Sequence, residues 1–169
     1  FLTVAGCRTA TVVASQPADT VKTERKVPSE DYVTGPSLKY SDVDYANFLG
    51  AAQLHIKDSP LLPPFIELRS GQSLQLEFDD LRAGAKNYQY KVVHCDFYWQ
   101  PSDLVASDYV QGFDELQIDD FEYSFNTKQA FTHYEAVFPN DMLQFKLSGN
   151  YVVVVSDIDQ PEVPILSRR

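Results

Sequence analysis

His94, Cys95 and Asp96 stand in a row, with Trp99 just beyond them. Imidazole, thiol and carboxylate are all metal ligands, and a thiol served by an imidazole is a hydrolytic nucleophile. The spacing argues against both chemistries. Neighbouring side chains on a strand point to opposite faces, so His94 and Asp96 can share a face that Cys95 cannot join. A zinc site draws spaced ligands from convergent segments. His55 and His133 are available, but nothing in the sequence brings them to His94. No papain-like or caspase-like signature surrounds Cys95. There is no Gly-x-Ser-x-Gly elbow, no phosphate-binding Gly-rich loop and no His-Glu-x-x-His. No catalytic, cofactor-binding or metal-binding residue is therefore assigned. The motif reads as a buried Cys95 acting as a small hydrophobe, beside a hydrogen-bonded His94–Asp96 pair at a strand end.

The carboxylates are distributed unevenly. The chain carries 24 Asp plus Glu against 14 Lys plus Arg, a net charge of −10. Phosphate backbones and anionic lipid surfaces need clustered cations, so nucleic acid is excluded as a partner. From Val92 to Thr127 there is no Lys or Arg but eight acids: Asp96, Asp103, Asp108, Asp114, Glu115, Asp119, Asp120 and Glu122. They lack the spacing of a calcium loop, and no glycosidase pair stands out among them. They form a solvated acidic face or a steering surface for a basic partner. Phe97, Tyr98, Trp99, Tyr109 and Phe113 lie in the same stretch. Aromatics fill β-sandwich cores, and they also anchor interfaces. The candidate partner contacts are Trp99, Tyr109, Phe113, Asp114, Asp119 and Asp120.

Strands must position these residues. Leu74, Leu76 and Phe78 alternate with Gln75 and Glu77, the period of a half-buried strand. Leu143, Phe145 and Leu147 alternate likewise, Ser148-Gly149-Asn150 supplies a turn, and Tyr151–Val155 resumes, which predicts a hairpin. Val152–Val155 is apolar without alternation and reads as covered on both faces. Further strands are predicted over Gln53–Lys57, Phe65–Arg69, Asn87–Cys95, Leu116–Phe125 and Phe131–Phe138. In Leu116–Phe125 the apolar parity slips, which predicts a bulge near Asp119-Asp120. Pro101–Val110 can hold one helical turn with Ser102 as N-cap. Short strands, 10 Tyr, 11 Phe and no long amphipathic helix predict an all-β fold, an immunoglobulin-like β-sandwich over residues 41–169.

The start of the chain reads differently. Phe1-Leu2-Thr3-Val4-Ala5-Gly6-Cys7 resembles a bacterial lipobox, in which cleavage precedes a cysteine that then carries lipid. Residues 1–7 are read as a signal remnant, with Cys7 the lipidation site and first mature residue. Residues 8–40 mix Ser, Thr, Pro and charge without apolar period, the composition of a disordered tether. The apolar Val163–Leu166 directly before the last three residues, Ser167-Arg168-Arg169, suggests that further protein follows.

One ordered series of motifs resembles a family. Tyr88-x-Tyr90-x-Val92-Val93-His94-Cys95-Asp96-x-x-Trp99-x-Pro101-Ser102-Asp103-Leu104 is similar to the first domain of type IX secretion system plug proteins. So are Phe78-Asp79-Asp80-Leu81, Tyr109-x-x-Gly112-Phe113, Ser124-x-Asn126-Thr127, Thr132-His133-Tyr134, Phe138-Pro139-Asn140 and Ser148-Gly149-Asn150-Tyr151, in family order from Gln53 to Arg169. The resemblance implies an immunoglobulin-like domain at the front of a longer chain. It further implies a non-enzymatic protein without cofactor that binds an outer-membrane translocon barrel from the periplasmic side and closes the idle pore. The expected location is the periplasmic face of the outer membrane, with membrane contact only through a lipid on Cys7. The alternative is an accessory sandwich of a surface glycan-degrading enzyme. A metal hydrolase using His94 is the least supported reading.

Overall fold

The computed structural model describes residues 37–82 and 84–169. The lipobox, Cys7 and most of the 8–40 segment therefore lie outside the described residues. Two antiparallel sheets carry the fold. One has four strands in the order β2 (Leu49–Ile56), β3 (Leu74–Asp80), β8 (Thr132–Phe138) and β7 (Asp120–Tyr123). The other has five: β1 (Val43–Asp44), β11 (Gln160–Arg168), β10 (Asn150–Asp157), β4 (Tyr88–Cys95) and β6 (Glu115–Ile118). A short pair, β5 (Val110–Gly112) with β9 (Leu143–Phe145), and one helical turn, α1 (Ala106–Tyr109), complete the elements. The order β2-β3-β8-β7 corresponds to A-B-E-D of an immunoglobulin sandwich, and β6-β4-β10-β11 to C′-C-F-G.

Period-2 alternation decides which residues meet between the sheets. Leu74, Leu76, Phe78 and Asp80 of β3 point inward, as do Thr132, Tyr134, Ala136 and Phe138 of β8. Opposite them stand Tyr88, Tyr90 and Val92 of β4 and Val153 and Val155 of β10. Aromatic rings join the layers. Tyr88 lies edge-on to Phe78 at 5.3 Å and to Tyr134 at 4.9 Å, and Tyr90 stacks on Phe138 at 5.4 Å. Asp80 is fully buried but not alone: its carboxylate accepts from the Tyr88 hydroxyl at 2.7 Å and from Arg82 Nη2 at 2.9 Å. Those bonds hold the Asp80 carboxyl below its ordinary pKa, although burial alone would raise it.

Four sequence expectations need correction. The parity slip at Asp119-Asp120 is not a bulge. The chain leaves β6 in one sheet and enters β7 in the other, so inward-facing positions change phase at the crossing. The Ser148-Gly149-Asn150 turn does not join a hairpin. β9 pairs with β5, while β10, buried on both faces at several positions, takes the middle of its sheet between β4 and β11. Phe65–Arg69 forms no strand; Pro63 and Pro64 just before it remove two ladder donors. Finally, α1 begins after Val105 rather than Ser102, whose hydroxyl is engaged with the His94 Nδ1 at 2.9 Å.

Candidate functional site

The end of β4 and the loop after it hold the residues that look chemical, and most of their bonds are made among themselves. The Asp96 N–H donates to the Gln100 carbonyl at 2.8 Å, and the Ser102 N–H to the His94 carbonyl at 3.0 Å. Asp96 Oδ1 accepts from the N–H groups of Tyr98 and Gln100 at 2.8 and 2.9 Å. This is the local capping for which Asp is favoured in turns. Asn150 Nδ2 donates to the Asp96 carbonyl at 2.9 Å and ties the loop to β10. His94 makes no bond to Asp96. Its ring pairs with Ser102, lies within 5.6 Å of the Tyr109 ring and 5.1 Å of the Tyr151 ring, and rests against Gly149. A Cβ at position 149 would stand 2.4 Å from His94 Nε2, so only glycine admits this approach. Cys95 is buried, and burial first, then Asp96, pushes its thiol up to about 11, far from a working nucleophile. Among the described residues no group of three His, Cys, Asp or Glu side chains is arranged to hold a metal ion.

The scaffold displays aromatic residues. Phe97 and Tyr98 are 84% and 77% exposed. Trp99 takes φ 59°, a left-handed conformation that is costly for a bulky residue and is held by the surrounding bonds. Its ring carries the Arg169 guanidinium 4.4 Å from its centroid and lines a groove of about 610 Å³ with Leu68, Phe145, Leu147 and Tyr151.

The six candidate contacts do not form one patch. Trp99 follows the Cys95 end of β4, whereas Asp119 and Asp120 follow Ile118, which pairs with Tyr88 at the other end. Seven residue steps of strand separate the two ends by roughly 23 Å. Tyr109 is only 5% exposed and packs into the interior, so it presents no surface. Phe113 is exposed, and Asp114 beside it lies 3.7 Å from Lys91 Nζ. Asp119 and Asp120 are exposed.

Two features escaped sequence reasoning. Phe121, Tyr123 and Phe125 share one apolar phase, yet all three are exposed. His55 and His133 do converge, though on Glu77 rather than on His94. On the outer face of the four-stranded sheet, His55 Nε2 lies 2.6 Å from Glu77 Oε1, and His133 Nδ1 lies 2.7 Å from Asp79 Oδ1. His133 Nε2 is 3.4 Å from Glu135 Oε1. Burial opposes protonation of both rings. It is outweighed by the Ile56 carbonyl and Glu77 at His55, and by Asp79, Glu135 and Glu77 at His133, so both pKa values are raised. Register could have revealed this, since Glu77 and Glu135 are direct cross-strand neighbours, but register is invisible without the strand pairing.

No helix among the described residues is long and apolar enough to cross a membrane. No curated protein matches the chain. A crystal structure of a hypothetical protein from Parabacteroides merdae is similar, with 32% identity and a TM-score of 0.74, over 78% of this chain and 33% of that one. The chain thus spans about a third of that protein's length. The sequence model of the type 9 secretion system plug protein 1st domain matches residues 50–169. The motif-bearing sandwich is the part that matches: the chain belongs to the family of type 9 secretion system plug protein first domains.

Proposed function

We propose that this domain is a non-enzymatic binding module that helps to occlude the periplasmic side of an outer-membrane type IX translocon. Family membership over residues 50–169 carries the reading. The geometry supports it. Of the residues with catalytic potential, His94 and Asp96 are bonded within one loop and the Cys95 thiol is buried, while aromatic and acidic side chains stand exposed. A net charge of −10 favours encounter with a basic partner surface and contributes more to association rate and selectivity than to affinity. Trp99, Phe113, Asp114, Asp119 and Asp120 are the proposed contacts. A lipid on Cys7 is the proposed means of retention at the outer membrane.

Affinity isolation of the tagged, full-length protein from native membranes tests this proposal. A large outer-membrane barrel recovered in near-equal amount is expected. Its absence, together with polysaccharide binding in a parallel assay, would overturn the plug in favour of a glycan-accessory domain. Radiolabelled palmitate incorporation that disappears in Cys7→Ser is expected for the anchor.

A further inference from the structure

The strand β7 is the outer edge of its sheet, with β8 on one side and, among the described residues, no strand on the other. Its backbone alternation can be read from its continuation. The Ser124 N–H donates to the Phe131 carbonyl at 2.9 Å, in the same register that pairs Glu122 with His133 and Asp120 with Glu135. In an antiparallel ladder the bonded pairs alternate. The N–H and C=O groups of Phe121 and Tyr123 therefore point away from β8, and no partner for them is present among the described residues.

The side chains alternate too. Phe121 and Tyr123 stand opposite Tyr134 and Thr132, both buried, and so face the inner side of the sheet. Yet they are 40% and 62% exposed, because they overhang the margin of the sandwich. Their rings lie edge to face at 5.6 Å, and Phe121 reaches Tyr134 at 5.8 Å, which makes an apolar shelf continuous with the core. Asp120 and Glu122 face the outer side. Among the described residues no Lys, Arg or His lies within ion-pair distance of Asp119, Asp120 or Glu122.

Open edges are aggregation templates, and proteins commonly guard them with Lys, Pro or a bulge. This edge carries none of these from Asp119 to Thr127. Its carboxylates repel a second copy of the same edge and attract a cationic strand. We infer that β7 accepts an extended partner segment by β-strand addition, one in which apolar side chains alternate with Lys or Arg. The apolar residues continue the Phe121–Tyr123 shelf and the cations meet Asp120 and Glu122. The added strand takes up the free backbone groups. This inference rests on the interaction reading above and names the chemistry of the partner segment.

The test uses the full chain and two fluorescent eight-residue peptides of identical composition. One alternates lysine and valine; the other groups its lysines and valines in blocks. Binding is measured by anisotropy and located by amide hydrogen exchange. The alternating peptide is expected to bind at least tenfold more tightly than the block peptide and to slow exchange at Phe121 and Tyr123. Asp120→Lys with Glu122→Lys, and separately Tyr123→Pro, are expected to weaken binding at least tenfold. The charge variant leaves the fold intact, since both sites are exposed, and Tyr123→Pro removes an outward donor and one ring of the exposed shelf but no ladder bond to β8. Equal binding of both peptides, no binding, or protection elsewhere overturns the inference. So does protection of these amides by self-association as the chain is concentrated. Recovery of the barrel from membranes with no peptide binding would leave the plug reading standing and remove this edge from it. Peptide binding without a barrel would do the reverse.

Discussion

The loop from His94 to Ser102 and the edge from Asp120 to Tyr123 carry the same materials, carboxylates beside aromatics, and use them in opposite ways. In the loop, Asp96 turns inward and spends its oxygen on two backbone N–H groups. At the edge, the Asp120 and Glu122 carboxylates have no hydrogen-bond or ion-pair partner among the described residues, and the backbone groups of Phe121 and Tyr123 point away from β8. The chemically conspicuous motif is thus a structural device, and the plain stretch is where the molecule offers bonds to something else. A row of reactive residue types is informative about function only after its bonds have been assigned.

Three perturbations sharpen the contrast. The largest effect is expected at Asp80, the inward extreme, which is fully buried between Arg82 and Tyr88. Asp80→Ala strips a hydroxyl and a guanidinium of their common acceptor, and should cost about 3 kcal/mol or more in urea unfolding. Asp96→Ala should cost about 1–2 kcal/mol by releasing two N–H groups. The matched change Asp120→Ala should stay within about 0.5 kcal/mol, as for surface positions without bonds. Equal costs for the last two would break the contrast.

The smallest effect is a pH dependence. His55 and His133 have folded pKa values above the unfolded 6.5, so their contribution is complete below that pH and fades as pH rises through the folded values. The groups facing them are Glu77 and Glu135 for both rings, with Asp79 and the cross-strand neighbour Glu122 beside His133. The difference in melting temperature between wild type and His133→Gln should therefore shrink from pH 6 to pH 8. A difference that grew over that interval would show that His133 is held neutral instead.

Much of the fold was legible. Leu74–Phe78, Asn87–Cys95 and Phe131–Phe138 read as strands because inward and outward residues alternate, and burial of one face enforces that period. Periodicity tells which way a side chain faces but not which strand lies alongside. That is why periodicity alone pairs β9 with the wrong neighbour and makes the crossing at Asp119 read as a bulge. The same limit hid the His55–Glu77–His133 cluster, whose members are distant in sequence and meet only through register. Tyr109 and Phe121 show the ambiguity of aromatics: one proved interior, the other exposed, and composition could not distinguish a core ring from a ring at a sheet margin.

The loop after β4 also has a consequence for how this family can diversify. Its shape is maintained by Asp96, Gln100, Ser102 and Asn150, while the Phe97 and Tyr98 rings lie edge to face with each other and stand exposed. The frame and the display are thus separately heritable. Positions 97 and 98 can be rewritten over evolutionary time, or by an engineer, as the tip of an antibody loop is, while the backbone that presents them stays as it is.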